Sequence, residues 1–208
     1  MAVKFFGRKN LKFWLAGIAG LVLGVLIILA IRFFTYNANH VHYHANFAVY
    51  IDGQREQFKG ASYYEEETAC KAGDNIAPAD RAHMHDNIND VVHVHDRAVT
   101  WEQFFNNLGW SVGGDFIETR DTLYQNNDRS ILHITLNGQD LTGISSIANK
   151  VIGDRDKLLL DYGPTDSQIK QEYNAIPSTA IQHDQENDPA SCSGPTSTTF
   201  SDRLHHLF

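Results

Sequence analysis

The sequence predicts an α+β fold: a small mixed β-sheet with one main packed helix, preceded by a single transmembrane helix. Three observations carry this. Phe13 to Ile31 is a run of nineteen residues drawn only from Phe, Trp, Leu, Ala, Gly, Ile and Val. Val41 to Ile51 alternates apolar and polar residues, the mark of a half-buried strand. Thr100-Trp101-Glu102-Gln103 is a capping box, and Trp101, Phe104, Phe105 and Leu108 then recur at spacings of three and four, as on an amphipathic helix.

Residues 1–12 form a basic segment. Lys4, Arg8, Lys9 and Lys12 favour a cytoplasmic N-terminus. At about 1.5 Å per residue the apolar run approaches the roughly 30 Å of a bilayer core. It exceeds the h-region of a cleaved signal peptide, and no small-x-small cleavage site follows it. Residues 13–34 are therefore expected to be an uncleaved transmembrane signal anchor, with Arg32 snorkelling at its far edge. The expected product is a single-pass cell-membrane protein whose C-terminal domain is extracytoplasmic. Membrane lipid is one partner. Gly20 and Gly24 have the G-x-x-x-G spacing of packed membrane helices, which makes a homo-oligomer or another membrane protein a second candidate.

Charge divides the same way. Residues 1–36 hold five basic and no acidic residues, leaving twelve basic against 25 acidic beyond them. Such a domain does not seek nucleic acid by electrostatics. It attracts cations.

The expected domain spans 37–163. In its first strand Val41, Tyr43, Ala45, Phe47, Val49 and Ile51 face a core, and His40, His42, His44 and Asn46 face the other side. Asp52-Gly53 signals a hairpin, with Gln54 to Lys59 returning. Gly60 to Arg81 is a long irregular segment that includes Glu65, Glu66 and Glu67. Next comes the stretch on which the functional reading rests. His83-Met84-His85-Asp86 recurs as His93-Val94-His95-Asp96, with the polar Asn87-Ile88-Asn89-Asp90 between. A short hairpin there brings both H-x-H pairs together. In a strand, residues i and i+2 share a face, with Cα atoms roughly 6.5–7 Å apart. Both imidazoles can then lean onto one ion, with Zn–N bonds of about 2.0–2.1 Å. Asp86 and Asp96 are placed to accept an imidazole N–H and fix its tautomer, or to ligate directly. Seven of the eleven histidines lie in these H-x-H runs. The alternative is a His-rich polar loop with no ligand.

After the capping-box helix, Gly109 is a natural C′ residue and Gly113-Gly114 a turn. Phe116 to Tyr124 is expected as a strand, Ile131 to Leu136 as another, Ile144 to Val151 as a short helix or turn, and Lys157 to Tyr162 as the closing strand. His133 is a further candidate ligand, or an ordinary hydrogen-bonded residue. Residues 164–208 are expected as a polar tail with a short helix over Asp166 to Ala175 and a frayed end carrying His205 and His206. Cys70 and Cys192 are the only cysteines. They are disulfide candidates in an oxidising compartment. The alternatives are that Cys70 is a thiolate ligand, or that both thiols are free or paired between chains.

Several motifs occur together. These are the anchor, the H-x-H strand running into Ile51-Asp52-Gly53, the two H-x-H-D copies, Thr100 to Phe105 with Leu108-Gly109, Leu136-Asn137-Gly138, and Leu158 to Gly163. The combination resembles a family of small membrane-anchored, His-rich proteins of bacteria and archaea. The resemblance covers residues 40–163 and implies an extracytoplasmic domain. It supplies neither an activity nor a catalytic residue. The order hairpin, loop, helix, strands also resembles a β-grasp arrangement.

Three functions fit the pattern. The first is a transition-metal-binding domain for Cu(II) or Zn(II), serving metal handling or a membrane partner. The second is a metal-dependent, hydrolase-like enzyme in which three histidines hold an activating ion and Glu66, Asp86 or Asp96 is the base. The sequence holds no H-E-x-x-H. The third is a metal-free partner-binding module made pH-sensitive by its histidines. Met84 is the only methionine besides Met1, which disfavours a thioether-rich Cu(I) site.

Overall fold

The computed structural model describes residues 8–36, 41–64, 76–142, 147–164, 168–185 and 200–207. Among them the helices are α1 (Arg8–Thr35), α2 (Trp101–Asn107), α3 (Ile169–Ala175), α4 (Ala180–His183) and α5 (Phe200–His205). The strands are β1 (Tyr43–Ile51), β2 (Gln54–Arg55), β3 (Ala82–His83), β4 (Val91–Val94), β5 (Ser111–Val112), β6 (Phe116–Glu118), β7 (Leu123–Gln125), β8 (Ile131–Leu136), β9 (Gln139–Asp140) and β10 (Lys157–Gly163).

The chain forms two compact units. One contains α1 and α5. From Leu11 to Thr35, α1 is long and apolar enough to cross a membrane. From Phe13 to Ile31 its large apolar side chains are exposed, apart from the half-buried Leu29. The last carbonyls of a helix lack intrahelical partners and carry the negative end of its dipole. Here Arg203 of α5 donates from Nη1 to the carbonyls of Phe33 (2.8 Å) and Phe34 (3.1 Å).

The other unit is α+β. Its main sheet has the order β3-β4-β1-β10-β8-β9, with β2 also paired to β1. β1 and β10 run parallel at its centre, and the other neighbours are antiparallel. Alternation sorts the side chains of β1. Ala45, Phe47 and Val49 are fully buried in the principal core, with Leu158 and Leu160 of β10 and Leu132 and Ile134 of β8. α2 closes this face. Its N-terminus is fixed by Thr100 and Gln103, which cap each other's backbone N–H groups. Phe104 and Phe105 meet the Phe47 ring with centroids 5.0 and 6.0 Å away.

The opposite face of the sheet is covered too. Ala48 and Leu159 bury Ile176 there, and Ile169 and Tyr173 pack beside them. Residues 169–185, expected as the start of a polar tail, thus form a layer over the sheet.

Two local expectations differ from the structure. Phe116 to Tyr124 is not one strand but the hairpin β6–β7, part of a separate three-stranded sheet with β5. The break comes at Thr119, whose hydroxyl accepts the N–H groups of Asp121 (3.3 Å) and Thr122 (3.0 Å) and so offers the backbone a turn. The return strand after Asp52-Gly53 is only β2, because Glu56 turns its carboxylate onto the N–H groups of Gln57 and Phe58. Within 144–151, residues 147–150 are a turn and bend, and 144–146 lie outside the described residues.

Candidate metal centre

The even-numbered side chains of β1 face the covered side of the sheet. Register builds a row of histidines there: His44 of β1 is opposite His93 of β4, which is opposite His83 of β3. His42, His95 and His85 lie one or two residues beyond these strands. A tight turn returns the chain from β3. Asp86 and Asn87 both have φ of 57°, and Ile88 N–H donates to the His85 carbonyl at 3.0 Å. Asn and Asp tolerate this left-handed conformation better than other non-glycine residues.

The rings form two layers. His42, His95 and His83 stack in sequence, with centroids 4.8 and 4.9 Å apart. His44, His93 and His85 make the second layer, at 4.3 and 3.6 Å. Within the cluster, one nitrogen each of His42, His93 and His95 lie within 4.8 Å of one another. Tetrahedral Zn–N bonds of about 2.0–2.1 Å would put such nitrogens roughly 3.4 Å apart, so the rings need to close by at most roughly 1.5 Å.

Electrostatics favours the ligand form. Burial, reinforced by neighbouring histidines, lowers His95 to about 3 and holds His93 well below the usual imidazole range. Burial lowers His44 to about 4, against the opposing hydrogen bond to Asp184. These imidazoles are neutral at physiological pH, the protonation state that binds metal. The Nε2 atoms of His93 and His95 are buried and make no hydrogen bond among the described residues. Leaving such an atom unsatisfied costs roughly 1–3 kcal/mol, which a bond to an ion offsets.

The expected site residues separate in space. His42, His44, His83, His85, His93 and His95 come together. His40, Cys70 and Cys192 lie outside the described residues, as do Glu65, Glu66 and Glu67. Asp86 accepts from His85 Nδ1 at 2.7 Å, which leaves His85 Nε2 as the basic nitrogen. Among the described residues Asp96 does not meet an imidazole. It accepts from Arg81 Nε at 2.7 Å and from the Arg97 N–H at 2.6 Å. His133 is on β8, opposite Asp161 of β10, whose partner on β1 is Tyr50. Tyr50 is six residues from His44, about 20 Å along a strand, so His133 stands apart from the cluster.

α4 and the residue after it add groups that the sequence reading passed over. The His183 ring lies 5.6 Å from that of His44 and 6.0 Å from that of His93. Asp184 accepts from His44 Nδ1 at 2.7 Å and from Arg155 Nε at 3.0 Å. Asn46 clips this segment to β1: its Oδ1 accepts the Ala180 N–H and its Nδ2 donates to Thr179 Oγ1, both at 2.9 Å. A signal existed, since His183-Asp184 repeats the dipeptide of His85-Asp86 and His95-Asp96.

Comparison of the chain with protein-family models, curated proteins and solved structures finds no match.

Proposed function

We propose that this chain is a membrane-anchored, extracytoplasmic protein that binds Cu(II) or Zn(II) and serves metal handling or a membrane partner. The observation that carries the reading is the His42/His93/His95 triad, with three nitrogens within 4.8 Å of one another. Imidazole donors suit both ions. Met84 is fully buried in the principal core, so its thioether is not part of the donor set. The basic residues before the apolar run, Lys4, Arg8, Lys9 and Lys12, support a cytoplasmic N-terminus and an outward-facing domain. The parallel pairing of β1 with β10, with α2 on one face, supports a β-grasp-like arrangement.

Elemental analysis of the full chain, purified in detergent without a His tag or chelator, tests the proposal. Near-stoichiometric copper or zinc is expected and would name the ion. A chain that contains neither metal and takes up neither on titration would overturn the reading.

A further inference from the structure

We infer that Asp184 is a positioning residue of the metal centre: acting through His44, it holds His93 in the tautomer whose bare Nε2 is the metal-binding atom. This rests on the metal reading above and adds the C-terminal segment to the site.

A chain of hydrogen bonds links Asp184 through His44 to His93. A carboxylate has no proton to give, so the 2.7 Å contact between Asp184 Oδ1 and His44 Nδ1 is an N–H donated by His44. A neutral imidazole has one N–H. His44 Nε2 is therefore a lone pair, and the 2.9 Å contact between it and His93 Nδ1 requires the proton to sit on His93 Nδ1. That leaves His93 Nε2 bare. The same atom is buried without a hydrogen-bond partner among the described residues, and His93 belongs to the triad. The other tautomer of His93 would face His44 with two lone pairs at 2.9 Å and put its proton where the ion binds.

Asp184 is held for this role. Arg155 Nε donates to its other oxygen, and Asp154 stands beside it. Burial pushes its carboxyl up, but hydrogen bonds from His44 and Arg155 outweigh that and keep it ionised. His44 and His93 are 1 and 3 % exposed, so water does not compete for these bonds. The H-x-H strands supply the imidazoles, and the segment after α3 sets which nitrogen of His93 is presented.

The test needs no metal. Long-range proton–nitrogen correlation on the metal-free full chain in detergent, labelled with ¹⁵N-histidine, distinguishes protonated from bare ring nitrogens. The expected result is His44 and His93 both protonated at Nδ1 and bare at Nε2. A His93 protonated at Nε2 overturns the inference, whatever the chain binds. Two variants extend the test. Asp184→Ala is expected to give His93 mixed tautomers and to weaken Zn(II) binding 10–100-fold, the usual cost of losing a partner behind a ligand. Arg155→Ala, which loosens the segment but leaves the His44–Asp184 bond, is expected to keep the His93 tautomer. Equal tautomer mixing in both variants would reduce Asp184 to an anchor of the segment and overturn the positioning role. Failure of the metal reading shows differently: the tautomers stand and the wild-type chain binds neither Zn(II) nor Cu(II).

Discussion

His42 and His95 stack face to face, with ring centroids 4.8 Å apart and planes within 12° of parallel. They lie one residue before β1 and one residue after its antiparallel neighbour β4, so the pairing of Tyr43 with Val94 places them. Their converging nitrogens, with that of His93, bring three metal ligands together.

Ligand loss should separate from loss of a distant histidine. His42→Ala, His93→Ala and His95→Ala are each expected to weaken Zn(II) binding by more than the roughly 10–100-fold that an outer partner contributes. His133→Ala is expected to leave it unchanged. Isothermal titration of the four variants checks this, and equal losses in all four would contradict the site.

Acid should destabilise the metal-free domain. The folded values of His44, His93 and His95 lie below those of the unfolded chain, with His44 at about 4 and His95 at about 3. Their contribution is complete above about pH 6.5 and is lost as pH falls through that window, at roughly 1.4 kcal/mol per pH unit for each group. Urea unfolding at pH 7, 6 and 5 should show a steepening fall. Constant stability over that range would mean that the histidines are charged or exposed.

Alkali should act on the layer beneath α3. Glu172 of α3 is 9 % exposed and faces the fully buried Asp161 of β10, with His133 across the strand from Asp161. Burial, then the charge of Asp161 and the hydrogen bond to it, raise Glu172 to about 7. A raised folded value means the contribution is complete below about pH 4.5 and is lost as pH rises through 7. Glu172→Gln is expected to stabilise the domain by roughly 1–3 kcal/mol at pH 8 and far less at pH 5. Thermal melts at the two pH values decide it, and an equal shift at both would rule out ionisation as the cause.

The local part of the fold was legible. Period-2 alternation assigned the two faces of β1, the H-x-H copies marked β3 and β4, and Thr100 with Gln103 marked the start of α2. Relations set by long-range pairing were not. The register that places His133 opposite Asp161, and Asp96 against Arg81, depends on which strands meet. Ile176, Thr179, Ala180 and Asp184 sit in a Ser/Thr/Asn/Gln-rich stretch whose mean composition is that of a tail. What holds them is a few specific contacts: one apolar residue over Ala48 and Leu159, and the side chain of Asn46.

The Asn46 clip should therefore matter for the whole segment. Asn46→Ala leaves the buried N–H of Ala180 without its acceptor, at an expected cost of roughly 1–3 kcal/mol. Hydrogen exchange should accelerate over 176–185 while β8 and β10 stay protected. Unchanged exchange in 176–185 would show that the clip does not hold it.

The central claim is tested most directly by titrating Zn(II) and Cu(II) into the metal-free full chain in detergent, beside the triple variant His42→Ala/His93→Ala/His95→Ala. The expected result is tight binding of one of these ions by the wild-type chain and its loss in the triple variant, with the variant's near-ultraviolet circular dichroism unchanged. A wild-type chain that binds neither ion, or a triple variant that binds as tightly as wild type, would contradict it.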